Sequence, residues 1–426
     1  MTIRFLPVFL VTALLVIRPG PGALAASDPL ETIRILTRPE LAGRGAGSAG
    51  GRVAADSVAS WMSAAGLRPA FAGGWYQEFP LQGEGWAGQR LAGATGRNVA
   101  GVLPGEGDLA GRFIVIGAHF DHLGLVDPEG ATGLPGPEDY YPGANDNAAG
   151  VAVLRTLMDA ARSHGNGGQG RRGVLFAAFD AEEVGLQGSA AMVRDMPVPL
   201  DSIDAMINLD TIGRLTDRKL YVSGVGTAAG LENLARAANT GGLTLSLARG
   251  GWSGSDHMTF NTREVPVLFV FGGPYPEYNR PGDTWEAIDP ASVAAVTAYT
   301  DRLLASLRTV PGPLVWVMVA EKNLRDDGEI AAGSNRATWL GTLPDFTEEV
   351  RGYLLAGVFD GSPAARCGLE KGDLLVRMGS HPVADLATFT TALRAHDPGD
   401  LVELEVVRRG QTLNFTVVLG DRADRE

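Results

Sequence analysis

Acidic and imidazole residues stand at the ends of apolar runs in this chain: His119 and Asp121 in GAHFDHLG, Asp146 in GANDNAAG, the adjacent Glu182 and Glu183 in FDAEEVG, and Asp210 in INLDTIG. Carboxylates and an imidazole brought to one point repel and desolvate one another unless a divalent cation sits between them. The series therefore predicts a zinc site that activates water for hydrolysis, because a bound zinc ion acidifies water and polarises carbonyls.

Each motif carries part of that chemistry. His119-x-Asp121 sets two side chains on one side of a strand end, so that the imidazole binds metal while the carboxylate fixes its tautomer; alone, the pattern is weak. Asp146, in a loop leading into a helix, has two oxygens with which to bridge paired metals, although an Asn-Asp-Asn sequence also suits a helix cap. Glu182 and Glu183 repel each other after a buried run. One should be ligated, and the other left free with a raised pKa to accept a proton from water. Asp210 adds a terminal ligand.

The elements that must position these residues are legible as well. Phe113 to Gly117, Val174 to Phe179, Ala205 to Leu209 and Val265 to Phe271 are nearly continuous apolar runs of the kind that a strand buried on both faces requires. Val151, Leu154, Leu157, Met158 and Ala161 recur at helical spacing between the first two. The expected fold class is α/β, with a mixed, mostly parallel sheet flanked by helices. His119, Glu182 and Asp210 then fall beyond the carboxyl ends of strands, where ligands collect in such sheets. Pro311-Gly312-Pro313 breaks the pattern after a last helix from Ala291 to Val310.

Composition bounds the remainder. The chain has 426 residues, 45% of them hydrophobic, enough for two globular domains. A net charge of -13 with no basic stripe excludes nucleic acid as a partner. Arg4, the apolar run from Phe5 to Ile17 and Ala23-Leu24-Ala25 form a secretory pattern, too short to span a bilayer comfortably. Residues 1–25 are thus expected to be a signal peptide, the mature protein secreted or periplasmic and without a stable membrane span. Cys367 is the one cysteine, so no intrachain disulfide exists; its setting is that of a small core residue.

Taken in order, these motifs make residues 97 to 305 resemble the M28 family of zinc aminopeptidases, whose pattern runs H-x-D, a D-N loop, E-E, N-x-D and a Tyr-His pair. They stand here as His119-Phe120-Asp121, Asp146-Asn147, Glu182-Glu183, Asn208-Leu209-Asp210 and Tyr278-Asn279. The resemblance implies that His119 and Asp210 are terminal ligands of one zinc, Asp146 the bridge, Glu183 a ligand of the other and Glu182 the general base. It implies peptide substrates with a free N-terminus, and a Tyr278 hydroxyl that donates to the oxyanion.

The chain departs from the family at Asn279, where the pattern has His. An amide oxygen is a poorer zinc ligand than imidazole, so one metal site is full and the second depleted. Three arrangements are open there: Asn279 ligates through its carbonyl oxygen, His257 of Ser-Asp-His-Met moves in, or the second site stays empty.

Residues 315–421 resemble a PDZ domain, carried by Trp339-Leu340-Gly341-Thr342 as the carboxylate-binding loop and by Gly361-Ser362-Pro363-Ala364-Ala365 through Gly372-Asp373-Leu374-Leu375. Such a module binds peptide or protein C-termini as an added strand. The expected domains are 28–312, peptidase-like, and 315–421. The expected function is an exported zinc aminopeptidase with an impaired second metal site. The alternative is a catalytically silent zinc protein acting through its PDZ module. A glutaminyl cyclase on the same fold ranks last, since its single metal would use the damaged ligand set.

Overall fold

A computed structural model describes residues 28–83, 91, 93–127, 134–165, 168, 170–251, 254–319, 338–344, 350–359, 361–384 and 386–421. The secretory segment expected over 1–25 lies outside these described residues. Among them, no helix is long and apolar enough to cross a membrane.

The N-terminal domain is built on a nine-stranded sheet. In chain order its strands are β1 (Arg68–Pro69), β2 (Tyr76–Pro80), β3 (Thr95–Leu103), β4 (Phe113–His119), β5 (Gly173–Phe179), β6 (Ile203–Asp210), β7 (Lys219–Ser223), β8 (Thr244–Ala248) and β9 (Val267–Phe271). Their spatial order is β1-β3-β5-β4-β6-β9-β7-β8, with β2 beside β3. The four central strands β5, β4, β6 and β9 are mutually parallel, while β3 and the β7/β8 pair run the other way. The sheet is thus mixed and mostly parallel, as the sequence predicts.

Burial explains that arrangement. Every residue of β5 and of β6 is buried, and helices cover both faces of such a parallel layer. Helix α1 (Ala149–Ala160) buries Val151, Leu154, Leu157 and Met158, the predicted helical stripe. Helix α2 (Pro290–Thr309) begins where Asp289 accepts hydrogen bonds from the amides of Ala291 and Ser292 at 3.1 and 3.0 Å, with Pro290 in the first turn. It stops before Pro311, as the breaker cluster requires. Beyond it the chain stays on this domain: Val317 donates to the Thr227 carbonyl at 2.8 Å, and the Trp316 indole to Asn261 at 2.8 Å.

The C-terminal module has its own core, around Leu355, Leu375, Met378, Leu404 and Val406. Strands 342–344, 353–358, 374–378, 401–408 and 411–418 form an antiparallel sheet in that order, with 381–382 beside 374–378. Tyr353 stacks on Phe389 of the helix 386–394 at 3.9 Å between centroids. Gly341 has φ +83°, and a Cβ there would lie 2.2 Å from Ser362 Cβ, so the turn of the Trp-Leu-Gly-Thr loop requires glycine. Cys367 is partly buried against this core, and its thiol reaches the Ala364 carbonyl.

Candidate metal centre

Because β4, β5, β6 and β9 are parallel, their carboxyl ends share one edge of the sheet, and the predicted residues gather there. His119 closes β4 and Asp210 closes β6, while Glu182 and Glu183 follow β5 within four residues. His119 Nε2 lies 3.2 Å from Asp146 Oδ1 and 3.6 Å from Asp210 Oδ1. One ligand atom each from His119, Asp146 and Asp210 lie within 4.8 Å of one another, and the same holds for His119, Glu182 and Glu183.

The neighbours of these ligands hold them in place. His119 Nδ1 lies 3.3 Å from the Asp121 carbonyl oxygen and 3.6 Å from Asp121 Oδ1, which accepts the Glu182 amide at 3.1 Å, while Oδ2 accepts the Glu183 amide at 3.3 Å. Asp121 therefore positions both the imidazole and the Glu-Glu pair. Asp210 Oδ2 accepts from Ser255 Oγ at 2.8 Å, and Ser255 accepts in turn from Asn208 Nδ2 at 2.8 Å. Asn147 Oδ1 accepts the Gly150 amide at 3.0 Å in the first turn of the following helix, a bond in which Asp146 takes no part.

Two buried groups that the sequence reading passed over fix the Asp146 loop. Asp283 of the Pro-Gly-Asp-Thr segment accepts the backbone amides of Asn145 and Asp146 at 3.0 and 3.1 Å and the Tyr275 hydroxyl at 2.9 Å. Arg44 is 0% exposed, and its guanidinium donates to the carbonyls of Phe120 at 2.6 Å, Leu36 at 3.2 Å, Gly143 at 2.6 Å and Pro142. It thus ties the loop after β4 to the loop before α1. Burial lowers its pKa, against the pull of Asp146, Asp283, Asp121 and Glu183. Arg44→Met would leave these carbonyls bare, so we expect a loss on the order of 3 kcal/mol in urea unfolding. Zinc affinity should weaken about 10–100-fold as the ligand loops loosen. An unchanged unfolding midpoint would contradict this role.

A third residue was also missed. His122, three positions after His119, is buried, with Nδ1 2.6 Å from Glu183 Oε1. Ligand atoms of His122, Asp146 and Glu183 again lie within 4.8 Å of one another. His257, by contrast, stacks on Phe269 at 4.3 Å between centroids and joins no such group among the described residues. Tyr278 is 43% exposed and meets Tyr275 edge-on, while Asn279 Oδ1 is buried with no hydrogen-bond partner.

The electrostatics fit a divalent cation. Burial lifts the Glu182 and Glu183 carboxyls well above the ordinary range; His119 opposes this for both, and neighbouring carboxylates reinforce it. Burial likewise raises Asp210, against its hydrogen bond to His119. For Asp146, burial is outweighed by His119, His122 and Arg44, and its carboxyl sits below the ordinary value. Burial pushes His122 down to about 4, so it is neutral at working pH. Asp210 Oδ1, His122 Nε2 and Asn279 Oδ1 are buried polar atoms without partners. Such orphans carry a desolvation cost unless a ligand satisfies them. The Arg44 guanidinium acts on Asp146, Asp283, Asp121 and Glu183 together, so one buried cation faces several carboxylates and a deficit of positive charge remains.

Comparison with known proteins agrees with this geometry. Residues 98–303 match the model of peptidase family M28, and residues 343–419 that of the PDZ domain. A protein of Arthroderma otae named "Probable leucine aminopeptidase" is 26% identical over 208 residues, covering 46% of this chain and 53% of that one. Aminopeptidase YwaD of Bacillus subtilis is 27% identical over 209 residues, covering 46% of this chain and 41% of its own length. The chain thus spans about half the length of the curated relatives it matches. The solved structure of BSAP, a zinc aminopeptidase from Bacillus subtilis, shares the fold with a TM-score of 0.53 at 17% identity, over 66% of this chain and 94% of that one. Residues 98–303 therefore belong to peptidase family M28, and residues 343–419 form a PDZ domain behind it.

Proposed function

We propose that this chain is an exported zinc-dependent aminopeptidase that removes N-terminal residues from peptides. The observation that carries the reading is the convergence of His119, Asp146 and Asp210 on one point, with the Glu182 carboxyl beside them. His119, Asp146 and Asp210 would hold one zinc ion, and Asp146 and Glu183 a second. Zinc bound there supplies Lewis-acid polarisation of the scissile carbonyl and acidifies water.

Glu182 accepts a proton from the attacking water as its oxygen bonds to the scissile carbon. It then delivers that proton to the departing amine nitrogen as the C–N bond breaks, giving a free amino acid and a shortened peptide. Asp121 holds the His119 ring and the Glu182 backbone during this exchange. The Tyr278 hydroxyl, at the mouth of the site, donates to the oxyanion. The free α-amino group of the substrate pairs with the carboxylate-rich floor, which favours an N-terminal residue over an internal one. Export is supported by the charged, apolar and small-residue pattern of residues 1–25. The PDZ domain takes peptide or protein C-termini.

The test is a panel of aminoacyl p-nitroanilides with free or acetylated amines. Free-amine substrates should be cleaved, acetylated ones spared, and turnover should cease on chelation and return with zinc. Failure of the zinc-loaded protein on the whole free-amine panel would remove the reading.

A further inference from the structure

Asn279 occupies the position at which the M28 pattern supplies a second-site imidazole, yet the structure brings another imidazole to the same carboxylates from a different element. His122 follows β4, and one of its ring nitrogens, an Asp146 oxygen and a Glu183 oxygen lie within 4.8 Å of one another. Nδ1 is 2.6 Å from Glu183 Oε1. The ring is held on several sides. The His122 amide donates to the Arg44 carbonyl at 3.3 Å, and Tyr141 meets the ring edge-on at 6.5 Å. Gly143, at φ +59°, lies so close that a Cβ there would stand 2.4 Å from the imidazole carbon Cδ2.

A wholly buried imidazole with one nitrogen unpartnered is costly as a mere packing residue. One imidazole nitrogen with two carboxylates is a ligand set that suits zinc. Asn279 Oδ1 is also buried without a partner, but a neutral amide oxygen is a weaker zinc donor than imidazole, so of the two groups His122 is the better ligand.

We propose that His122, with Asp146 and Glu183, completes the second divalent-cation site, and that Asn279 is outside the ligand set. This rests on the aminopeptidase reading for its place in the reaction, but ligand identity is decided by metal content alone. Asp146 then belongs to both proposed sites, and the imidazole missing from the loop at 279 is supplied from the loop that follows the strand ending at His119.

The experiment counts zinc per chain by mass spectrometry after stripping, reloading and gel filtration of the full chain, with thermal melting as a check on folding. Wild type and Asn279→Ala should each hold two zinc ions, and His122→Gln one. One ion in wild type or in Asn279→Ala, or two in His122→Gln, would overturn the proposal. Should His122→Gln fail to fold, His122→Ala takes its place in the count, where one ion is expected and two would overturn the proposal. Failure of the enzymatic reading shows separately, as absent turnover in a chain that holds two ions.

Discussion

Glu182→Gln should lower kcat by about 10³-fold while zinc content and KM stay nearly unchanged. Glutamine keeps the size of the side chain and a hydrogen-bonding oxygen but cannot accept a proton from water. The native carboxyl is well suited to that step. Burial raises it well above an ordinary glutamate, with the Glu183, Asp256 and Asp210 charges adding and His119 opposing. A raised carboxyl is a stronger base toward water than an ordinary glutamate. The Glu182 amide is anchored on Asp121, so the substitution leaves the backbone and the metal ligands in place. Steady-state kinetics on an aminoacyl p-nitroanilide, with zinc counted in the same samples, checks the expectation. Equal residual rates in wild type and Glu182→Gln would favour a catalytically silent zinc protein working through its PDZ domain.

Why Glu182 was legible and Arg44 was not is a matter of local pattern. His119, Glu182 and Asp210 each end or follow a run of apolar residues, and a parallel strand buried on both faces announces itself by such a run. The position of the charge at its end then points to the carboxyl edge of the sheet. Arg44 sits in Leu-Ala-Gly-Arg-Gly-Ala-Gly, which reads as a glycine-rich turn with a solvated cation. Its burial depends on carbonyls of Phe120, Pro142 and Gly143, at least 76 residues away, and no local pattern encodes that. Asp283 was hidden for the same reason, since Pro-Gly-Asp-Thr is an ordinary turn sequence.

His122 shows a different limit. Residues three apart on an extended strand point to opposite faces, so His-x-x-His read as strand separates the two rings. β4 ends at His119, and the chain turns under Arg44, which carries His122 back to the Glu183 side. The signal was present in GAHFDHLG, but it required knowing where the strand stops. His257 reads equally well as a spare ligand by residue type, yet its ring is committed to the face of Phe269.

Asp146→Ala should abolish nearly all zinc-dependent thermal stabilisation, because Asp146 is the one carboxylate shared by the two proposed zinc sites, His119-Asp146-Asp210 and His122-Asp146-Glu183. At zinc a thousandfold above Kd, a single site stabilises the folded state by about 4 kcal/mol. In a domain of this size that corresponds to a rise in Tm of roughly 10 °C. Wild type should show at least that rise, and Asp146→Ala only a small fraction of it. The stripped proteins should differ as well, and in opposite directions for two ligands. Asp146 has a folded pKa below its unfolded one, so its ionised form contributes stability above the unfolded value, lost as pH falls through the folded one. Removing it should lower the Tm of the metal-free protein at neutral pH. Asp210 has a raised folded pKa, chiefly from burial, so its charge at neutral pH opposes folding when no cation is bound. Asp210→Asn, which keeps an acceptor for Ser255, should raise the metal-free Tm and yet shrink the zinc response. Carboxylates that oppose folding until a cation arrives mark a binding site, whereas a purely structural acid cluster would melt alike with and without zinc. The melting curves of these two variants, stripped and reloaded, distinguish the cases without reference to activity.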